Sequence, residues 1–262
     1  TYYWRIKFWD NHTIGSESAW SATAQFTMNT APSAPTNLLT EGSTNPVGVI
    51  DTTPEFSAIF NDSDTSDTGN YYQIQVNTNS SFTGTIMWDS TKTANSPTIA
   101  RGARSQDISY AGTTLILNGI TYYWRIKFWD SRDTESAWST TAQFTMDTAP
   151  TAPTALLTEG MTNPTKVLTV TPKFSAIFND PDTADTGTYY QIQVNTASDF
   201  TGTSMWDSTK TAHSPAVAKG TRSQDISYAG TTLTLNGTTY YWKIKFWDAS
   251  GIEGVWSSVA NF

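Results

Sequence analysis

The chain repeats itself along its length. The signature strand TYYWRIKFWD at Thr1–Asp10 returns unchanged at Thr121–Asp130 and, with Lys in place of Arg, at Thr239–Asp248. A longer segment, Pro54–Thr78, returns with few changes as Pro172–Thr196, 118 residues later. A fixed repeat period predicts a tandem array of one structural unit. Chemistry that is essential to the unit should therefore recur in each copy.

Proline-rich segments divide the array. Thr30–Pro35 and Thr148–Pro153 each carry two prolines three residues apart, which stiffen a short connector and interrupt strands. We therefore predict domains at residues 32–149 and 150–262, preceded at 1–31 by the last hairpin of another such domain. An isolated hairpin buries little apolar surface. Further chain upstream or the strands of another copy would have to complete it.

Hydrophobic alternation predicts an all-β fold. Phe56, Ala58 and Phe60 occupy every second position of one predicted strand and therefore share a face. Trp124 and Phe128 likewise share one face of the signature strand. Asn-Gly turns precede this strand, and no segment shows a helical period. About seven short strands in each unit predict tandem antiparallel β-sandwiches, arranged like beads on a rod.

Two patterns carry a family resemblance. The string GTTYYWKIKFWDASG at Gly237–Gly251 resembles the hairpin of strands six and seven in fibronectin type III domains, with Thr238 and Tyr240 matching its tyrosine corner. The longer pattern YQIQV…MWDSTK…ISYAGTTL…TYYWRIKFWD…SAWS resembles the fibronectin-like accessory module that precedes the catalytic domain in bacterial α-L-rhamnosidases. The resemblance implies a β-sandwich scaffold without catalytic residues.

An aspartate-rich loop is the sharpest candidate for chemistry. It follows the second strand of each unit, and its aspartates are Asp62, Asp64 and Asp67 in one copy and Asp180, Asp182 and Asp185 in the next. Calcium binds six to eight oxygens at about 2.3–2.6 Å, and spaced carboxylates supply several of them. A calcium ion here would stiffen the joint beside the Pro-rich segment. The alternative is that these side chains only form Asx turns with the backbone.

The outward side of the signature strand forms a second candidate, which we call the outer row. Its members alternate aromatic and cationic side chains: Tyr123, Arg125, Lys127 and Trp129 in one copy, and Tyr241, Lys243, Lys245 and Trp247 in the next. Such a row could stack on a glycan, contact another copy of the chain, or pack upon itself through cation–π contacts. We expect the remaining tryptophans, Trp88, Trp138, Trp206 and Trp256, to lie in the core.

Several function classes receive no support. The net charge of −8 argues against nucleic acid as a partner, because such binding depends on Lys and Arg at the phosphates. The chain has no cysteine, and its two histidines, His12 and His213, do not recur between copies. No repeated Ser-His or Cys-His machinery is therefore expected, and we assign no catalytic residue.

The near-identity of the copies favours a mechanical role. We expect a structural segment of an elongated extracellular or cell-surface bacterial protein: a stalk, an adhesin shaft or a fibre that could self-associate with neighbouring copies. The alternative is a carbohydrate-binding or accessory module of a large secreted glycan-active enzyme. Calcium is the one cofactor considered, and a glycan is the one partner considered besides the chain itself.

Overall fold

The structure is a computed structural model that describes residues 1–11, 16–183 and 185–262. His12 lies outside these ranges. The described residues form β-strands and no helix, which confirms the all-β prediction. It follows that these ranges offer no helix with the length and hydropathy needed to cross a bilayer.

The chain begins with a short hairpin. Strand β1 (Tyr2–Trp4) pairs antiparallel with β2 (Ala24–Phe26), and Tyr2 lies opposite Phe26. The tyrosine, tryptophan and phenylalanine side chains of this hairpin are largely exposed. Its assignment as the last hairpin of a preceding domain stays a prediction.

The first repeat folds into two antiparallel sheets. Its strands are β3 (Ser33–Thr40), β4 (Glu55–Asn61), β5 (Thr68–Asn77), β6 (Ile86–Asp89), β7 (Thr93–Ala100), β8 (Ile108–Ser109), β9 (Thr121–Trp129) and β10 (Ala142–Thr145). One sheet has the order β3-β4-β8, and the other has the order β10-β9-β5-β6 with β7 also paired to β5.

The second repeat has the same topology. Its strands are β11 (Thr151–Thr158), β12 (Lys173–Asn179), β13 (Thr186–Asn195), β14 (Ser204–Asp207), β15 (Thr211–Ala218), β16 (Ile226–Ser227), β17 (Tyr241–Trp247) and β18 (Ala260–Asn261). The sheets have the orders β11-β12-β16 and β14-β13-β17-β18, with β15 also paired to β13.

The residues group into two compact units. The first unit comprises 1–44, 55–112 and 123–142, and the second comprises 45–54, 113–122 and 143–262. The domain limits predicted at 31/32 and 149/150 remain predictions.

Aromatic side chains fill the core of each sandwich, as the alternation predicts. In the second unit the Phe174 ring lies 4.6 Å from the ring of Trp242, and Phe178 meets Phe246 edge-on at 5.6 Å. All four are completely or almost completely buried. The predicted tyrosine corner is also present: the backbone N–H of Thr234 donates to the Tyr240 hydroxyl at 3.2 Å. Large aromatic faces hold the two sheets together.

Strand pairing determines where the aspartate-rich loop lies. The loop joins β4 to β5, and in the second repeat it joins β12 to β13. Because β13 and β17 are antiparallel, with Tyr189 opposite Trp247, the start of one strand lies beside the end of the other. The loop therefore meets Asp248, the residue that ends the signature strand.

Candidate metal centre

Aspartates from three parts of the chain converge in the second unit. Asp147 precedes β11, three aspartates lie in the loop between β12 and β13, and Asp248 follows β17. We call this set the second cluster; its members are Asp147, Asp180, Asp182, Asp185 and Asp248. Carboxylate oxygens of Asp147, Asp182 and Asp185 lie within 4.8 Å of one another, and so do those of Asp180, Asp185 and Asp248.

Several oxygens of the second cluster are buried without a partner. Asp147 is 1% exposed, and neither of its carboxylate oxygens has a hydrogen bond of good geometry to a described residue, although Ser250 and the Thr148 N–H lie near enough to lower its pKa. Asp248 is 0% exposed and Asp180 is 5% exposed, and in each the Oδ2 atom is likewise unpartnered within the described ranges. Leaving a carboxylate oxygen buried and unsatisfied is costly, so each of these atoms requires a proton or a bound cation.

The other oxygens of the cluster hold the loop in shape. Asp180 Oδ1 accepts from the backbone N–H of Asp182 at 2.8 Å, which is the predicted Asx turn. Asp182 Oδ2 accepts from the N–H of Thr148 at 2.8 Å, and Asp248 Oδ1 accepts from the N–H of Ile252 at 2.8 Å. Asp180 and Asp248 thus each bond the backbone through one oxygen and leave the other free for a ligand. The Asx-turn interpretation is thus confirmed for Asp180, and calcium binding remains a prediction.

The surroundings of the three most buried aspartates of the second cluster disfavour their charged form. Burial, followed by the neighbouring Asp182 carboxyl, raises the pKa of Asp147 to about 6. Burial also raises the pKa of Asp180 to about 6, and the charges of Asp185 and Asp182 add to this. The pKa of Asp248 is raised as well, again chiefly by burial. Desolvation and like charges both raise a carboxyl pKa.

The corresponding positions of the first unit form the first cluster: Asn29, Asp62, Asp64, Asp67 and Asp130. Carboxylate oxygens of Asp62, Asp67 and Asp130 lie within 4.8 Å of one another. Asp67 is 3% exposed, and its Oδ1 accepts from the Ser131 hydroxyl at 3.0 Å. The Arg132 Nε lies 3.6 Å from the same oxygen. A cation of the protein therefore lies beside this cluster.

Donors surround Asp130 in the first cluster. Its Oδ2 accepts from Asn29 Nδ2 at 2.8 Å, and its Oδ1 accepts from the backbone N–H groups of Arg132 and Thr134 at 2.8 Å each. Burial would raise the pKa of Asp130, but these hydrogen bonds outweigh it and the pKa is lowered. The Oδ2 atom of Asp62 and the Oδ2 atom of Asp67 remain unpartnered among the described residues.

Sequence reasoning found the loop aspartates but missed their partners. The loop is correctly placed, although Asp64 Oδ2 accepts from the N–H of Thr30 at 2.8 Å and Asp64 does not belong to the triad of the first cluster. The missed members are Asp130, Asp248, Asn29 and Asp147. The signal was the final Asp of the signature strand, which is present in every copy although it lies beyond the last inward-facing position.

The outer row packs upon itself. The Arg125 guanidinium carbon lies 4.1 Å from the Phe82 ring and 4.4 Å from the Trp138 ring. The Lys127 ammonium lies 4.7 Å from Trp129 and 5.0 Å from Trp138. These contacts form a continuous layer of alternating cations and rings.

The layer changes two expectations about tryptophan. Trp129 and Trp247 are 8% and 6% exposed, so neither offers an open ring face to a partner. Trp138 and Trp256, expected in the core, instead lie on the outer face over the cations of the outer row. The apolar stems of the Arg and Lys side chains also bury surface, and these tryptophan rings pack over them. That partners bind the outer row remains a prediction.

Two-sheet antiparallel sandwiches with a tyrosine corner define the immunoglobulin-like and fibronectin type III-like class of β-domains. The model of the family described as Rha78A-like, N-terminal immunoglobulin domain, matches residues 35–149 and again residues 153–262. The chain therefore belongs to this family and carries two copies of its domain. This confirms the resemblance seen in the sequence.

Parts of several known proteins are similar to this chain. An α-L-rhamnosidase of Alteromonas sp. (strain LOR) is 31% identical over 115 residues, which are 42% of this chain and 11% of the relative. The α-L-rhamnosidase structure from Dictyoglumus thermophilum is 18% identical, with a TM-score of 0.40, over 87% of this chain and 29% of that one. Fibronectin(III)-like modules of Clostridium thermocellum CbhA are 8% identical, with a TM-score of 0.30, over 86% and 92%. The chain spans a small fraction of the rhamnosidases' length.

The family overturns our leading functional expectation. A stalk, adhesin shaft or fibre was inferred from the near-identity of the copies, but both copies match a domain found at the N-terminus of rhamnosidase-type proteins. That expectation is wrong, and the alternative of an accessory module is favoured. Near-identical copies indicate duplication, and duplication by itself does not specify a mechanical role.

Proposed function

We propose that this chain is a non-catalytic accessory segment of a secreted, glycan-active enzyme of the α-L-rhamnosidase type. The observation that carries the proposal is the double match to the N-terminal immunoglobulin-like domain, at 35–149 and 153–262. Its role is to support a catalytic part of the enzyme elsewhere in the polypeptide. The same proposal places this chain outside the cell, because that is where an enzyme encounters polymeric glycans.

The chemistry of the side chains supports a role without catalysis. Glycoside cleavage uses two carboxyl groups flanking a bound sugar. The carboxylates that lie close together in the second cluster are mostly buried, and several of their oxygens face one another. His213 is buried, and its Nδ1 lies 2.8 Å from the carbonyl oxygen of Pro215. The Pro215 carbonyl thus occupies one ring nitrogen of His213, and the cavity that His213 lines has no counterpart histidine in the first repeat, which carries Asn95 at this position.

The packing of the outer row favours support over sugar capture. Sugar rings stack on open aromatic faces, whereas the Trp247 ring is covered by Lys245 at 4.8 Å and Lys210 at 5.0 Å. A ligand would have to displace both cations. We therefore propose a scaffold, and retention on a glycan is the outcome that would contradict this part.

The experiment has two arms. The coding sequence on either side of this segment is expected to encode a rhamnosidase-type catalytic domain; further copies of the repeat with no such domain would contradict the proposal. In the second arm, the purified chain is incubated with a chromogenic α-L-rhamnoside and run through gels containing rhamnose-rich polysaccharide. We expect no hydrolysis and no retardation relative to albumin.

A further inference from the structure

We propose that the second cluster is a calcium site, and that the first cluster, whose charge is partly neutralised by its own side chains, binds calcium far more weakly. This inference is independent of the proposed function. It concerns Asp147, Asp180, Asp182, Asp185 and Asp248, all of which lie in the second unit.

The unpartnered oxygens are the first argument. Asp147 offers two such atoms, and Asp180 and Asp248 offer one each, all buried. An ionised carboxylate taken out of water without a partner is strongly destabilising, because its hydration is lost and nothing replaces it. A bound cation would satisfy all of these atoms together.

The protein supplies no cation of its own here. Within the described ranges, no Lys or Arg forms an ion pair with any aspartate of the second cluster. The nearby Lys219 donates its ammonium to the backbone carbonyl of Pro181 at 2.8 Å instead. Five carboxylates therefore converge without a counter-charge from the described chain.

The donor set selects the class of ion. Every candidate ligand is an oxygen, which suits a hard divalent cation rather than zinc or copper. Oxygens on opposite sides of a calcium ion are about 4.6–5.2 Å apart, given its bond lengths of about 2.3–2.6 Å. Each triad of the second cluster already spans no more than 4.8 Å. Calcium also tolerates the irregular geometry that three separate chain segments impose.

The first cluster differs from the second in two side chains that reduce its need for an ion, although Asp62 Oδ2 and Asp67 Oδ2 also lack a partner there among the described residues. At equivalent positions it carries Asn29 where the second has Asp147, and Arg132 where the second has Ser250. The Asn29 amide donates to Asp130, and the Arg132 guanidinium lies 3.6 Å from Asp67. One carboxylate is removed and one cation is added.

Binding would join three segments within the second unit. Asp147 belongs to the segment before β11, Asp180, Asp182 and Asp185 belong to the loop before β13, and Asp248 follows β17. An ion held by all three would fix the start of the sandwich against its loop and its signature strand. Metal removal should therefore loosen these segments first.

The test is isothermal titration calorimetry of the intact chain, stripped of metal, with calcium chloride and separately with magnesium chloride. We expect one tight calcium site and much weaker magnesium binding. Asp147→Asn and Asp248→Asn should each weaken calcium binding at least tenfold. The matched variants Asp62→Asn and Asp130→Asn in the first cluster should leave the tight site unchanged.

Asp147→Asn places in the second cluster the residue that the first already has, so this variant is expected to fold. Its circular dichroism and hydrogen exchange confirm that before it is titrated. Absence of calcium binding at millimolar concentration would overturn the proposal. So would equal affinity for magnesium, or loss of the tight site in the first-cluster variants.

Discussion

The first and second clusters occupy the same place in the same fold and solve one electrostatic problem differently. Each gathers loop aspartates around the last residue of a signature strand. In the first, Asn29 replaces a carboxylate with an amide donor and Arg132 adds a cation; in the second, Asp147 and Ser250 occupy these positions, and no described Lys or Arg forms an ion pair with the cluster. Backbone topology sets where the carboxylates meet, and two side chains decide what must neutralise them.

The paired aspartates at the strand ends show the difference most clearly. The pKa of Asp130 is lowered, because hydrogen bonds from Asn29 and from two backbone N–H groups outweigh its burial. The pKa of Asp248 is raised, chiefly by burial. The residue type, the strand and the turn are shared, so the neighbours alone set the direction of the shift.

Exchanging the side chains between clusters should produce the largest effect. Asn29→Asp with Arg132→Ser and Thr134→Ile should create a calcium site in the first unit, while Asp147→Asn with Ser250→Arg and Ile252→Thr should abolish the one in the second. In calcium titrations, we expect the first-unit variant to bind one more calcium ion than the unmodified chain and the second-unit variant to bind one fewer. An exchange that leaves both stoichiometries unchanged would break the comparison.

Calcium removal should loosen one unit and spare the other. Chelation should speed hydrogen exchange at least tenfold in peptides covering 180–188 and 246–252, because the ion no longer joins these segments. Peptides covering 62–70 and 128–134 serve as the internal control and should change little. Mass spectrometry of the intact chain distinguishes these peptides, and equal responses would contradict the assignment.

The sign of one substitution should depend on the metal. In excess chelator at pH 7, Asp147→Asn removes a buried, unpaired charge and should stabilise the protein by about 1–2 kcal/mol. In saturating calcium it removes a ligand and should destabilise the protein. Urea unfolding under both conditions measures this reversal; a purely structural aspartate would give the same sign in both.

Acidity should stabilise the second cluster more than the first when metal is absent, because in the first cluster burial raises the pKa of Asp62 but hydrogen bonds outweigh burial at Asp130 and lower its pKa. Because the folded-state pKa values of Asp147 and Asp180 are raised to about 6, their contribution to stability is fully present below about pH 4 and is lost as the pH rises through 6. The charged groups around them are Asp182, Asp185, Asp248 and Lys219. The Lys219 ammonium donates to the backbone carbonyl of Pro181. Acidification from pH 7 to 5 in chelator should therefore raise the urea midpoint. Asp147→Asn should weaken that rise.

Asp130 of the first cluster supplies the contrast in pH dependence. Since the pKa of Asp130 is lowered, its contribution to stability is present above its unfolded value and is lost as the pH falls below about 4. Asp130→Asn should leave the stability change between pH 7 and 5 intact. If Asp130→Asn abolished the change in stability between pH 7 and 5, the titrating groups would lie in the first unit, which would contradict the assignment to the second cluster.

A smaller effect is expected on the outer row. Arg125 donates to Gln75 Oε1 from Nε at 3.1 Å and from an Nη at 2.7 Å, whereas the second repeat carries Lys243 at this position. Arg125→Lys keeps the charge over Trp138 but loses the paired donation, so we expect a loss of about 0.5–1 kcal/mol. The urea midpoint measures it, and Lys243→Arg is the reciprocal variant.

The sequence predicted what local pattern controls. Alternation placed Phe56, Phe60 and Trp124 correctly in the core, and the spacing of Asp180 and Asp182 predicted their turn. The partnership of Asp185 with Asp248 was missed because 62 intervening residues separate them and only antiparallel pairing of β13 with β17 brings them together. The prediction that Trp138 lies in the core was wrong, because alternation along a strand does not reveal that a tryptophan packs over the cations on the outer face.

The functional error has a different origin. Similarity between copies measures how recently they separated and says little about what either copy does. The family resemblance in the strands around Tyr240 proved the better guide, because a fold is retained by packing constraints that act on every copy.

The burial of Trp247 gives the second cluster a spectroscopic signal of its own. The indole is next in sequence to Asp248 and lies in contact with Lys245 and Lys210. A calcium ion bound by the Asp248 carboxylate would change the electric field at the Trp247 indole. The wavelength of maximum tryptophan fluorescence should therefore shift when calcium binds. Subtracting the spectrum of a Trp247→Phe protein isolates this one fluorophore, and a plain fluorimeter would then report occupancy without any added dye.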